Sequence, residues 1–199
     1  MHEILRVWTT RDGLARIAGC ALLYTIFLVP FNLLQANFFG IPLRPAAALP
    51  VLLGIFFGPA AAWGLGIGNI LGDLAGSWSP MSIFGFIINF LYPYLSYLLW
   101  HRWMKGHPVH ADRVSTGVYM GVAFVITVAC MALLALCGTV FFGRPFLEKF
   151  LGYSVNNIFW TLTLGTCLFA GLLDRAVQQR WVYGKEWETR LSGTPSPKG

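Results

Sequence analysis

The sequence predicts an all-α polytopic membrane protein, a bundle of six transmembrane helices with both termini cytoplasmic. Three observations lead there. Only 11% of the 199 residues are charged and 56% are hydrophobic, whereas a soluble domain carries about 25% charged residues. The charges gather at the two ends and in a few loops, with long apolar runs between them. Alternating segments of ~10 residues, the mark of a transmembrane barrel, do not occur. The length suits six short spans and leaves no room for a soluble catalytic domain. The net charge is +6, but the basic residues cluster at span ends, where they set topology and meet lipid headgroups. A nucleic-acid partner is therefore not expected.

Residues 1–13 form a basic, amphiphilic cytoplasmic lead with Arg6, Arg11 and an interfacial Trp8. The first span covers about 14–36. Its apolar region is too long for a signal peptide, and Leu34-Gln35-Ala36 puts a bulky residue where cleavage wants a small one. A retained helix is expected, kinked at Pro30. The second span, about 45–58, opens at Arg44-Pro45, since proline at the first helical position loses no hydrogen bond. Gly58-Pro59 is a turn. The third span, about 60–77, carries Gly64, Gly68, Gly72 and Gly76 four apart, a smooth ridge for close packing of a neighbouring backbone. The adjacent row is Ala61, Leu65, Asn69, Asp73 and Ser77, which stacks Asn69 on Asp73.

The fourth span, about 81–103, is rich in aromatics. Asn89, Tyr92 and Ser96 lie near one face, and Pro93 can bend it. A polar, basic loop at 104–113 follows. The fifth span, about 114–142, has Thr127 and Thr139 as its few polar groups. The loop 143–153 carries Arg144, Glu148 and Lys149. The sixth span, about 156–174, opens with Asn156, Asn157, Trp160 and Thr163. Residues 14–177 are thus one membrane domain, and 178–199 a charged cytoplasmic tail. Cys20, Cys130, Cys137 and Cys167 sit inside apolar runs without a C-x-x-C pair, so neither a disulfide nor a metal site is expected.

Lys and Arg set the orientation. Arg6, Arg11, Arg16, Arg102, Lys105, Arg113, Arg175, Arg180, Lys185, Arg190 and Lys198 fall on the side of the termini. Only Arg44, Arg144 and Lys149 fall on the other. This asymmetry predicts cytoplasmic termini in the cell inner membrane, with the Arg44, 77–80 and 143–153 loops facing outward.

Catalytic signatures are missing: no H-E-x-x-H, no G-x-S-x-G and no acidic pair occur. Gly64-Leu65-Gly66-Ile67-Gly68 lacks the Lys-Ser/Thr of a nucleotide-binding loop. The chain is read as not an enzyme and as needing no cofactor. His101, His107 and His110 lie in or beside one loop, where a transition metal or a basic interface would each explain them.

Polar groups converge instead on the outer half of the bundle. Arg44, Asn69, Asp73, Trp78, Asn89, Tyr92, Asn156, Asn157 and Trp160 lie between the outer interface and the midplane. Ionisable groups at such depth are costly and point to function. Amides and aromatics around a charge pair suit a small, planar, polar ligand. The competing reading has Arg44 reaching headgroups, Asp73 pairing with it, and the amides bonding between helices. Trp78 fits an interfacial belt or a stacking role. At the start of the first span, Ala15 and Gly19 form a small-x-x-x-small face, which docks either a partner helix or another span of this chain.

Six short spans, about 200 residues and inside termini resemble the substrate-binding S components of energy-coupling factor (ECF) vitamin transporters. The local likeness lies in Arg44-Pro45-Ala46-Ala47-Ala48-Leu49-Pro50, Gly58-Pro59, Gly68-Asn69, Gly72-Asp73 and Gly85-Phe86-Ile87-Ile88-Asn89-Phe90. It is similar to the queuosine-precursor, QueT-like branch over residues 40–103, and elsewhere by topology. The resemblance implies capture of a vitamin-like or nucleobase-like micronutrient from outside. It also implies docking onto a membrane coupling subunit attached to two ATPase subunits, and toppling to release substrate inside. Ala15 and Gly19 would match the family's A-x-x-x-A docking motif, with glycine in place of the second alanine. A structural or assembly membrane protein without ligand transport is the alternative from a different class.

Overall fold

The computed structural model describes residues 2–34, 37–38, 41–76, 78–105 and 107–183. Gln35 and Ala36 at the end of the first predicted span, Ser77, and the tail from residue 184 with Lys185, Arg190 and Lys198 lie outside the described residues. The regular elements among these residues are helical apart from an antiparallel pair of two-residue strands, β1 (Asn37–Phe38) and β2 (Ile41–Pro42).

A short helix α1 (His2–Arg6) leads through a tight turn into α2 (Arg11–Leu34). Thr10 is extended and its Oγ1 accepts the Gly13 N–H at 3.0 Å, satisfying a free donor of the first turn. The helix continues through Pro30. A 3₁₀ turn, Pro45–Ala48, then opens α3 (Leu49–Phe57). Gly58 closes α3 at φ +51° with the Tyr183 ring against it, a conformation that favours glycine. Pro59 then starts α4 (Pro59–Leu74). α5 spans Met81–Trp103. α6 (Arg113–Phe142) is capped by Asp112, whose carboxylate accepts the Ser115 N–H at 2.7 Å. That bond, first among its causes, holds the Asp112 carboxyl below its ordinary range. Gly143, at φ +63°, ends α6.

The last apolar segment is α7 (Phe146–Trp160), a π-helical turn (Thr161–Gly165) and α8 (Thr166–Gln178). It starts ten residues before the predicted span at 156, so much of the expected 143–153 loop is helix. Pro145 stands just before the first turn, and Phe146 and Phe150 stack at 5.7 Å along it. Glu148 lies in that first turn, where an acid suits the helix dipole. Among the described residues, four helical segments are long and apolar enough to cross a bilayer: Arg11–Leu34, Met81–Trp103, Arg113–Phe142 and Phe146–Gln178. Pro45–Phe57 and α4 are shorter.

Packing explains the short pair. Every residue of α3 from Leu49 to Phe56 is buried, as expected of a helix apolar all round. One side of it meets Tyr92, Trp100, Tyr119 and Phe169 from α5, α6 and α8, and the other meets Cys20, Tyr24, Leu28 and Leu65 from α2 and α4. The predicted glycine ridge of α4 faces α2. A Cβ on Gly64 would stand 2.5 Å from Cys20 Cβ, one on Gly68 2.8 Å from the Ala21 carbonyl oxygen, and one on Gly72 2.5 Å from Leu28 Cδ2.

The N-terminal helix is clasped to the bundle. Tyr94 and Tyr97 of α5 donate to the Glu3 carboxylate at 3.0 and 3.2 Å, and Trp63 Nε1 donates to the Ile4 carbonyl at 2.9 Å. Glu3→Ala removes the acceptor both hydroxyls share. It is expected to lower stability by about 1–2 kcal/mol, read as a drop in Tm in detergent. An unchanged Tm would show that α1 is not held by this contact.

Candidate functional site

A cavity of about 290 Å³ opens where α2, α4, α5, α6 and α7 meet the Pro45–Ala48 turn. Seven of the nine residues expected at the site line it: Arg44, Asn69, Asp73, Asn89, Tyr92, Asn156 and Asn157. The remaining two do not. Trp78 is 53% exposed beyond the end of α4. Trp160 sits on α7 with its ring edge-on to Phe159 at 5.2 Å.

The polar residues are held by one another. On one wall, Tyr24 Oη donates to Asn89 Oδ1 at 2.8 Å, Asn89 Nδ2 donates to Asn69 Oδ1 at 3.0 Å, and Asn69 Nδ2 donates to Asp73 Oδ2 at 3.2 Å. The predicted stacking of Asn69 on Asp73 is thus a hydrogen bond within α4. Elsewhere, buried Tyr92 shares hydroxyl bonds with Thr127 and, at 3.3 Å, with Thr161. Thr161 donates in turn to the Ala47 carbonyl at 2.8 Å. The Arg44 backbone N–H donates to Asn156 Oδ1 at 3.1 Å. Two side chains of the last helical segment therefore fix both ends of the 44–47 stretch. Thr161 begins the π turn, a local widening that recurs at functional sites.

The lining carries two guanidiniums, Arg44 and Arg144, and the Asp73 carboxylate. The ion pairs among the described residues are His110–Asp112 and Lys149–Glu148, and neither involves those arginines. Arg144 lies 5.8 Å from the centre of the Phe142 ring. The sequence reading missed Arg144, although its place on the sparsely basic side was the signal for it. It also missed Tyr24, a hydroxyl in the middle of an apolar helix, together with Tyr153, Ser79 and Ser82. Apolar surface comes from Leu28, Ile88, Met131 and Leu134. The arrangement offers hydrogen bonds and positive charge, which suit the binding of a small polar ligand.

Away from the cavity, His101, His107 and His110 are exposed. His101 contacts the Tyr97 carbonyl and His110 the Asp112 carboxylate. Among the described residues, no three His, Cys, Asp or Glu side chains gather as metal ligands. Ala15, Ala18, Gly19 and Leu22 form an exposed stripe on α2, opposite the face that Ile17, Cys20, Ala21, Tyr24 and Leu28 bury. A Cβ on Gly19 would meet nothing within 4 Å.

No curated protein and no solved structure matches the chain. Its residues 14–174 match the family described as QueT transporter. That match covers most of the chain, including all but the first three residues of α2, α3 to α7, the π turn and every residue lining the cavity. The chain belongs to the QueT transporter family, an S-component family of membrane transporters.

Proposed function

We propose that this protein is the substrate-capturing subunit of an ECF importer, and that the cavity between α2, α4, α5, α6 and α7 holds its cargo. The cargo is a vitamin-like or nucleobase-like micronutrient taken from outside the cell. The family membership supports the transporter class. The observation that carries the binding reading is the convergence of two arginines, one aspartate and several amides on one cavity of about 290 Å³. A volume of this order suits a small ring compound. In this reading all six apolar helices cross the inner membrane, both termini are cytoplasmic, and the cavity faces outward. The exposed Ala15–Gly19 stripe then docks on a membrane coupling subunit that carries two ATPase subunits.

Native mass spectrometry of protein purified gently from its own host tests the reading. A co-purified small molecule at one-to-one stoichiometry is expected. A clean apo protein that also fails to be stabilised by any vitamin or nucleobase would refute it. With the ligand in hand, Arg44→Ala and Asp73→Asn are each expected to weaken binding roughly 10- to 100-fold, the loss of a charged hydrogen bond, with Tm nearly unchanged. Titration calorimetry reads this, and wild-type affinity in both variants would remove these residues from the site.

A further inference from the structure

The wall formed by Tyr24, Asn89, Asn69 and Asp73 has a direction, because two of its ends can only accept hydrogen bonds. An ionised carboxylate accepts only, and so does a backbone carbonyl. The Asp73 carboxylate faces Asn69, so Asn69 turns its Nδ2 that way at 3.2 Å and its Oδ1 towards Asn89. The Gly85 carbonyl faces Asn89, so Asn89 turns its Nδ2 there at 2.9 Å. Both N–H bonds of Asn89 are then used, one on Gly85 and one on Asn69. Its Oδ1 is left facing Tyr24, which donates its single O–H at 2.8 Å. The two anchors are independent and impose the same sense. Glycine at position 85 makes the packing possible, since a Cβ there would stand 2.7 Å from Asn69 Nδ2.

We infer that Asn89 and Asn69 are positioning residues that fix the Tyr24 hydroxyl as an acceptor towards the cargo, so that this wall selects a ligand carrying an N–H or O–H donor. The inference rests on the cavity being the binding site proposed above. Arg44 and Arg144 can only donate, so they select an acceptor elsewhere on the same ligand. The cargo is thus a compound with a donor edge and a separate carbonyl or anionic edge. Blocking the donor by methylation leaves the Tyr24 oxygen unpaired in the cavity, a loss of roughly 10- to 100-fold in affinity.

The test needs no ligand for its first step. The infrared C–O stretch of tyrosine moves in opposite senses when the hydroxyl donates and when it accepts. The spectrum of wild-type protein minus that of Tyr24→Phe isolates the Tyr24 band. A donating position is expected in the wild type, alone or together with acceptance from whatever fills the cavity, and Asn89→Leu is expected to shift it away. A wild-type band typical of a hydroxyl that accepts without donating would overturn the inference. The second step compares pyrimidin-4(3H)-one, whose ring N–H is its single hydrogen-bond donor, with its N-methyl derivative. The wild type is expected to favour the parent at least ~10-fold, and Asn89→Leu to compress that ratio to within about threefold. Equal binding of both rings by the wild type would also overturn the inference. A donating band together with no binding of any ring or vitamin would instead sink the binding reading and leave the wall's polarity standing.

Discussion

Gly64→Leu is expected to leave no folded protein. A Cβ at this position would lie 2.5 Å from Cys20 Cβ and 2.7 Å from the Ile17 carbonyl oxygen, which is α2 backbone and cannot swing aside. Relief would require α2 and α4 to separate. The same ridge makes close contact again at Gly68, with the Ala21 carbonyl oxygen, and at Gly72, with Leu28. Separation at Gly64 therefore loosens the interface along about two turns of helix, from Gly64 to Gly72. Inserting one methylene into a packed core costs about 1–3 kcal/mol. A leucine introduces four carbons against rigid backbone, and the cost should pass the ~4–5 kcal/mol that marks exceptional single substitutions. Size-exclusion chromatography of detergent extracts should find aggregate or nothing. A monodisperse Gly64→Leu protein with wild-type Tm would mean that α2 and α4 do not meet along this ridge.

The ridge also illustrates what the sequence made legible. Spacing of four along α4 fixes which residues share a face, so both the glycine ridge and the Asn69–Asp73 pair could be read before any fold was known. Proline and glycine punctuation marked the start of α4 and the 3₁₀ turn at Pro45, while α3 itself begins four residues later at Leu49, and the aromatic run bounded α5. Periodicity does not say which helix lies opposite. Tyr24 and Asn89 are 65 residues apart and meet only because α2 and α5 both pack on α4, so the wall that joins them was invisible. Arg144 is legible as a charge on the sparse side and lies in a loop, as its surroundings in the sequence suggest, but nothing in the sequence ties that loop to the cavity. The helix that begins at Phe146 brings Gly152, Tyr153, Asn156 and Asn157 to the same cavity as Arg144. Charged Glu148 and Lys149 masked that start, because a polar pair inside an apolar pattern reads as a loop. Trp78 and Trp160 are expected at the site from residue type and depth alone, and neither property sets which way an aromatic ring faces. Trp78 ends up exposed beyond α4, which fits the interfacial reading of that residue better than stacking on a ligand.

Gly19→Leu is expected to abolish transport while leaving ligand binding and stability intact. The residue sits on the same helix as Ile17 and Cys20, which pack on Gly64, yet on the opposite face. It is exposed, a Cβ there meets nothing within 4 Å, and its neighbours Ala15, Ala18 and Leu22 are exposed with it. Leucine is moreover a better helix former than glycine, so the helix itself loses nothing. What the substitution does alter is the approach of a second helix, because small residues four apart let two backbones come close in a bilayer. Uptake by vesicles containing the whole transporter should fall to background, while the isolated protein keeps its Tm and its affinity for the cargo. Co-purification with the coupling subunit should be lost in parallel. Unimpaired uptake by Gly19→Leu would remove the stripe from the docking surface. Loss of Tm would instead show that the stripe packs within the protein. Together with Gly64→Leu, this variant separates the two faces of α2, one holding the fold together and the other reserved for a partner.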